Sequence, residues 1–82
     1  MVSVIGAATG NLGVIHRTRG DLDKAEELHR KSLALSEESG RKEGMAAQYG
    51  NLGNVFLLRG DLDRAEEFHL KSLKLPEIPE AE

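Results

Sequence analysis

Residues 10–35 read GNLGVIHRTRGDLDKAEELHRKSLAL, and residues 50–75 read GNLGNVFLLRGDLDRAEEFHLKSLKL. When the sequence is shifted by 40 residues, these two stretches align with 17 of 26 positions identical. Repetition at a fixed period of this size is typical of proteins in which similar structural units stack on one another. Such proteins present an extended surface, so the repeat favours a binding function over catalysis.

Two matched breakpoints, Gly20-Asp21 and Gly60-Asp61, divide each copy into two segments. Glycine suits the left-handed conformation just after a helix end, and aspartate suits the N-cap of the next helix. The sequence therefore predicts a tight turn between two antiparallel helices in each copy.

Apolar and small residues recur at spacings of three and four on both sides of the breakpoints, which is the period of an amphipathic helix. This pattern predicts four helices, at about residues 3–19, 22–39, 43–59 and 62–75. They form two repeats, about residues 3–40 and 43–75, within a domain over residues 1–75. Proline 76 cannot continue a helix, and we expect the acidic segment 76–82 to be a disordered tail.

Gly13 and Gly53 lie at equivalent positions inside the first predicted helix of the two copies. A glycine inside a helix costs about 1 kcal/mol relative to alanine. Its presence at the same position in both copies predicts that another helix packs against the bare backbone there.

These features resemble the tetratricopeptide repeat, a helix–turn–helix unit of about 34 residues. The LG pair of that family recurs at Leu12-Gly13 and Leu52-Gly53. Its small second-helix residue recurs at Ala25 and Ala65. The resemblance implies an all-α fold, in which two such units, with four antiparallel helices, form a right-handed solenoid. The 40-residue period is similar to that of the long repeats in kinesin light chains, spindle-orientation adaptors and bacterial regulators.

The resemblance also implies a function, because the first helices of tetratricopeptide units line a concave groove that binds peptides or partner helices. Asparagine side chains in such a groove can hydrogen-bond the backbone of an extended peptide. We therefore expect a non-catalytic module with a protein or peptide partner and no cofactor. The candidate groove residues are Asn11, Val14, Arg17, Asn51, Asn54, Leu57 and Leu58.

A metal site is the main alternative, because Glu26-x-x-His29 and Glu66-x-x-His69 have the spacing of di-metal sites in four-helix bundles. The repeat alone explains why the motif occurs twice, and the histidines stand where the family has a packing aromatic. The other two helices should also supply inward carboxylates. We expect apolar residues on those inward faces instead, namely Ile5, Leu12, Met45 and Leu52. The sequence thus favours packing over metal binding.

Composition excludes several other classes of function. The 82 residues carry a formal net charge of −3 with acidic and basic residues interspersed, so no basic stripe for nucleic acid is present. The longest apolar stretch, at the N-terminus, is too short to span a membrane. Cysteine is absent, which fits a reducing compartment. We therefore expect a cytoplasmic protein that binds neither nucleic acid nor membrane.

The number of repeats raises a further expectation, because stacked repeats usually need about three units to cover each other's apolar faces. Phe68 and Leu75 on the last helix, and Val2, Val4 and Ile5 on the first, have no following or preceding unit within the sequence. We therefore expect either a fragment of a longer array or a homo-oligomer that forms through the exposed terminal helix faces.

Overall fold

Four helices and no strand make up the described part of the chain. The computed structural model describes the backbone of residues 2–74 and the side chains of residues 6–74. The helices are α1 (Val2–Thr18), α2 (Leu22–Ser39), α3 (Lys42–Arg59) and α4 (Leu62–Lys74). These bounds agree with the predicted ones to within one residue, and the all-α prediction is confirmed. Leu75 and the predicted tail lie outside the described residues.

Short turns at the predicted breakpoints separate the helices. Gly20 and Gly60 have φ angles of 88° and 85°, in the left-handed region that favours glycine. The carboxylate of Asp21 accepts a hydrogen bond from the backbone N–H of Lys24, at 3.2 Å. Asp61 accepts the equivalent bond from Arg64, at 3.1 Å. The predicted combination of a left-handed glycine and an aspartate N-cap is confirmed in both copies.

The helices pack in the order in which they occur along the chain. α1 packs against α2, α2 against α3, and α3 against α4, while α1 also contacts α3. The core therefore lies between the helix layers. Leu52, Phe56 and Ala65 form its buried centre, and Leu33 and Phe68 pack against them. Because Leu33 belongs to α2, this core joins the first helix pair to the second.

The mid-helix glycines mark the closest crossings within each pair. A β-carbon on Gly13 would come 2.7 Å from the imidazole ring of His29, and one on Gly53 would come 2.7 Å from the ring of His69. Real side chains essentially never approach so closely. The prediction that a second helix packs against these bare backbones is confirmed, and a histidine is the residue that makes the contact.

Two expectations about the faces of the helices are wrong. Leu12 does not point inward, since it is 49% exposed, whereas its equivalent Leu52 is fully buried. Phe68 does not lie on the uncovered outer face, because its ring stacks on that of Phe56 with centroids 5.3 Å apart. The exposed large apolar residues of α4 are Leu62, Leu70 and Leu73.

The physical reason is that each helix has two apolar stripes, and periodicity alone does not say which stripe meets the partner within the pair. The side chains of Val2, Val4 and Ile5, and residue Leu75, lie outside the described residues. In the described part of the chain, no helix combines the length and the apolar character needed to cross a membrane.

Candidate functional site

An open cleft lies where α1, α2 and the beginning of α3 meet. Its volume is about 370 Å³. α1 and α3 form two of its walls, and the second half of α2 forms its floor. The residues that line it are Gly6, Ala7, Gly10, Asn11, Ser32, Leu35, Ser36, Ser39, Arg41, Glu43, Gly44, Ala47, Gln48 and Asn51.

The cleft is open because the residues at the closest approaches of the helices are small. Gly44 begins α3 beside Ser36, so closely that a β-carbon on Gly44 would come 2.5 Å from the Ser36 hydroxyl oxygen. The hydroxyl of Ser32 donates a hydrogen bond to the backbone carbonyl of Gly6, at 2.8 Å. Glycine and serine thus bring the helix backbones together without filling the space between them.

A buried polar network closes one end of the cleft. Nδ1 of His29 lies 2.9 Å from Oε1 of Gln48, and the Asn51 amide donates to the same oxygen at 3.3 Å. An amide oxygen only accepts, so His29 carries its proton on Nδ1 and donates it to Gln48. The network ties α2 to α3 across the cleft.

His29 is held in its neutral form. Its side chain is fully buried, and Nε2 has no hydrogen-bond partner among the described residues. Burial therefore lowers the pKa of His29 below its ordinary value, and the positive charge of Arg17 on α1 acts in the same direction. The hydrogen bond to Gln48 acts in the opposite direction, but its effect on the pKa is smaller than that of burial. A neutral imidazole packs here as an apolar ring with one polar edge.

The sequence-predicted groove residues fall into two groups. Asn11 and Asn51 line the cleft together, one from each wall. The other five lie beyond the cleft lining, towards the C-terminal ends of α1 and α3. Val14, Arg17 and Asn54 are half-buried, and Leu57 and Leu58 are exposed.

The most important residue that sequence reasoning missed is Gln48. It is 8% exposed, it lines the cleft, and it is the acceptor at the centre of the polar network. The difference between the two copies could have drawn attention to it, because Ala8 stands at the equivalent position of the first copy. A large polar residue that replaces alanine on a helix of a repeat needs a partner.

Three of the four E-x-x-H side chains, those of Glu26, His29 and His69, are engaged in other contacts. Glu26 accepts hydrogen bonds from Arg30 at 2.9 Å and from Arg59 at 3.1 Å. His29 packs on Gly13 and donates to Gln48. Within the described residues, no group of three or more His, Cys, Asp or Glu side chains is placed to hold a metal ion. In the first copy, both residues of the motif therefore contact neighbouring helices.

Comparison with known proteins agrees with the geometry. A family model described as tetratricopeptide repeat matches residues 4–77. Neither a curated protein nor a solved structure matches the chain. The matched region includes all four described helices except the first two residues of α1. With its paired helices, glycine-linked turns and close crossings at Gly13 and Gly53, the chain belongs to the tetratricopeptide repeat family.

Proposed function

We propose that this chain is a non-catalytic protein-interaction module, and that an extended peptide segment of a partner protein binds along the face that α1 and α3 share. The observation that carries the proposal is the open cleft with Asn11 on one wall and Asn51 on the other. Tetratricopeptide proteins generally bind protein partners, and the family membership supports the same role here.

Free hydrogen-bonding groups on this face support a peptide as the ligand. The amide nitrogen of Gln48 has no acceptor among the described residues, although the residue lines the cleft. The amides of Asn11 and Asn54 likewise have no partner in the described part of the chain. The amides of Asn11 and Asn54 each offer both a donor and an acceptor, which is what the C=O and N–H groups of a peptide backbone require, whereas Gln48 offers only its N–H donors because its oxygen already accepts two hydrogen bonds.

An apolar surface lies at the far end of the same face. Leu57 is 52% exposed and Leu58 is 59% exposed, and both follow Asn54 on α3. Arg17 adds a positive charge on the neighbouring wall. We therefore expect the peptide to carry an apolar side chain at the end that meets Leu57 and Leu58, and an acidic residue near Arg17.

The experiment is selection of peptides from a phage-displayed library of random peptides, followed by calorimetry of the selected peptides. We expect the Asn54→Ala variant to lower the affinity of these peptides about tenfold, because one or two hydrogen bonds to the peptide are lost. Lys31→Ala is the matched control, because Lys31 is an exposed residue on α2 outside the cleft lining. Peptides whose affinity is unchanged by Asn54→Ala, or failure of the selection, would count against the proposal.

Two narrower statements belong to the same proposal. The matched turns at Gly20 and Gly60 are 40 residues apart, which supports a long-period type of tetratricopeptide repeat. The absence of cysteine supports a cytoplasmic location. Fluorescence microscopy of the tagged protein in its own cell tests the location.

A further inference from the structure

The first and third helices carry equivalent stripes that have very different environments. On α3 the stripe is covered by α2, and both Leu52 and Val55 are fully buried. On α1 the equivalent residues are open to solvent: Leu12 is 49% exposed and Ile15 is 44% exposed. We call the α1 stripe the head face; it consists of Ala8, Leu12, Ile15 and Arg19.

The second and fourth helices show the same contrast on the opposite side. On α2 the stripe formed by Asp23, Glu26, Arg30 and Leu33 faces α3, and Leu33 packs against the core. On α4 the equivalent leucine, Leu73, is 66% exposed, and Leu70 is 49% exposed. We call the α4 stripe the tail face; it consists of Asp63, Glu66, Leu70 and Leu73.

The contact between α2 and α3 shows how such faces fit together. Arg59 at the end of α3 donates to Asp23 at 2.8 Å and to Glu26 at 3.1 Å, both at the beginning of α2. Leu33 packs near Leu52 further along the two helices. The helices are thus joined by ion pairs at one end and by apolar contacts in the middle.

The terminal faces carry equivalent charged groups at their ends and apolar residues between them, although Ala8 stands where α3 has Gln48 and Leu70 stands where α2 has Arg30. Arg19 is the equivalent of Arg59, and Asp63 and Glu66 are the equivalents of Asp23 and Glu26. Among residues 6–74, none of these three side chains has an ion-pair partner. The head face is apolar with a cation at its C-terminal end, and the tail face is apolar with anions at its N-terminal end. Antiparallel docking would therefore match charge with charge and leucine with leucine.

We propose that the head face of one copy of this chain docks on the tail face of a second copy, as α3 docks on α2 within the chain. Arg19 then bonds to Asp63 and Glu66 of the second copy, and Leu12 and Ile15 cover its Leu70 and Leu73. The two faces are different surfaces, so an assembly of any length still has one free head face at one end and one free tail face at the other. The assembly can therefore grow from head to tail.

The test is sedimentation velocity of the purified chain over a concentration series from micromolar to millimolar. We expect the weight-average mass to rise past that of a dimer and to fall again at high salt, because salt screens the ion pairs. The Arg19→Glu variant and the Asp63→Arg/Glu66→Arg variant should each associate at least about tenfold more weakly, since both place like charges opposite each other.

Mixing these two charge variants is the decisive arm of the experiment. In the mixture, the head face of the Arg19→Glu variant can meet the tail face of the Asp63→Arg/Glu66→Arg variant. This pairing places the new negative charge opposite the new positive charges, so the attraction is restored. We therefore expect the equimolar mixture to recover assembly that neither variant shows alone. Circular dichroism establishes that both variants remain helical. Lys31→Glu, which makes the same charge change on α2, should associate like the parent chain.

Three results would overturn the proposal. The first is a parent chain that stays monomeric up to millimolar concentration. The second is association that stops at the dimer, which indicates a symmetric interface. The third is a mixture of the charge variants that shows no recovery. Because none of the head-face or tail-face residues lines the cleft, peptide binding and assembly can fail independently.

Discussion

The imidazole ring of His29 lies directly against the bare backbone of Gly13, so that a β-carbon on Gly13 would come within 2.7 Å of it. The ring cannot move aside freely, because it is fully buried and hydrogen-bonded to Gln48. This contact joins α1 to α2 within the first helix pair. It also positions the His29 imidazole, whose hydrogen bond to Gln48 joins α2 to α3 of the second pair.

Replacing Gly13 by alanine should destabilise the fold, although alanine is the better helix former. We expect Gly13→Ala to lower the free energy of unfolding by about 1–3 kcal/mol, because the new methyl group displaces the His29 ring. Gly50→Ala is the control: its β-carbon would lie 3.5 Å from the Ser72 hydroxyl, an ordinary contact. That variant should gain about 0.5–1 kcal/mol. Urea denaturation at micromolar concentration measures both, and equal effects would refute the assigned role of Gly13.

The stability of the chain should fall at mildly acidic pH because of His29. Burial lowers the pKa of His29 in the folded state below the ordinary value of about 6.5. At pH values between the two pKa values, the unfolded chain therefore binds more protons at this residue than the folded chain does. The contribution of the neutral imidazole is therefore complete above about pH 6.5 and is lost as the pH falls towards the folded-state pKa. Urea denaturation at a series of pH values between about 7.5 and 5 measures this loss.

The matched variant for this prediction is His29→Gln, which keeps a hydrogen-bonding side chain but does not titrate. It should flatten the pH dependence of the unfolding free energy relative to the parent chain. A parallel slope in the two proteins would contradict the assignment. Proton NMR titration of the His29 ring gives an independent check, and it should report a pKa below 6.5.

Arg59 and Arg19 occupy equivalent turns and offer a matched comparison. Arg59 bridges Asp23 and Glu26, and the hydrogen bond that it donates to the Asp23 carboxylate raises the pKa of its guanidinium group. Arg59→Ala should therefore cost about 0.2–1 kcal/mol of unfolding free energy, the usual range for solvent-exposed ion pairs. Arg19→Ala should leave the stability of the monomer unchanged in dilute solution. An equal loss in both variants would mean that the bridge contributes nothing.

Leu52 and Leu12 give a second matched pair, this time for packing. Leu52 is fully buried against the core, so Leu52→Ala should cost about 2–5 kcal/mol in unfolding free energy. Leu12 is 49% exposed in a single copy, and Leu12→Ala should cost less than about 1 kcal/mol when measured in dilute solution. Thermal melts followed by circular dichroism would show the difference. Similar losses would mean that the head face is already covered in the monomer.

Much of the fold could be predicted from the sequence because its determinants are local. A left-handed glycine followed by an aspartate N-cap specifies a turn regardless of what surrounds it, and the turns at Gly20 and Gly60 are as predicted. Helix bounds followed from the apolar period and from these stop signals. The two mid-helix glycines indicated a close crossing because the same helix-weakening residue occurred twice.

The remaining features depend on contacts between distant residues, which periodicity does not report. The hydrogen bond from His29 to Gln48 joins two helices. The presence of one of these residues in the sequence does not predict that the other is its partner. The uncovered stripe on α4 contains Leu73 and not Phe68, because both stripes are apolar and only the packing distinguishes them. The groove role of all seven candidate residues, including Asn11 and Asn51 in the cleft, stays a prediction.

The central claim is that a peptide binds on the face that α1 and α3 share. The most direct measurement is the ¹⁵N–¹H correlation spectrum of the chain during titration with a library-selected peptide, at a concentration where the chain is monomeric. We predict that the shifted amide signals cluster at Asn11, Asn51 and Asn54, while those around Leu73 on α4 stay unchanged. Shifts confined to the outer face of α4, or spread evenly over all four helices, would contradict it.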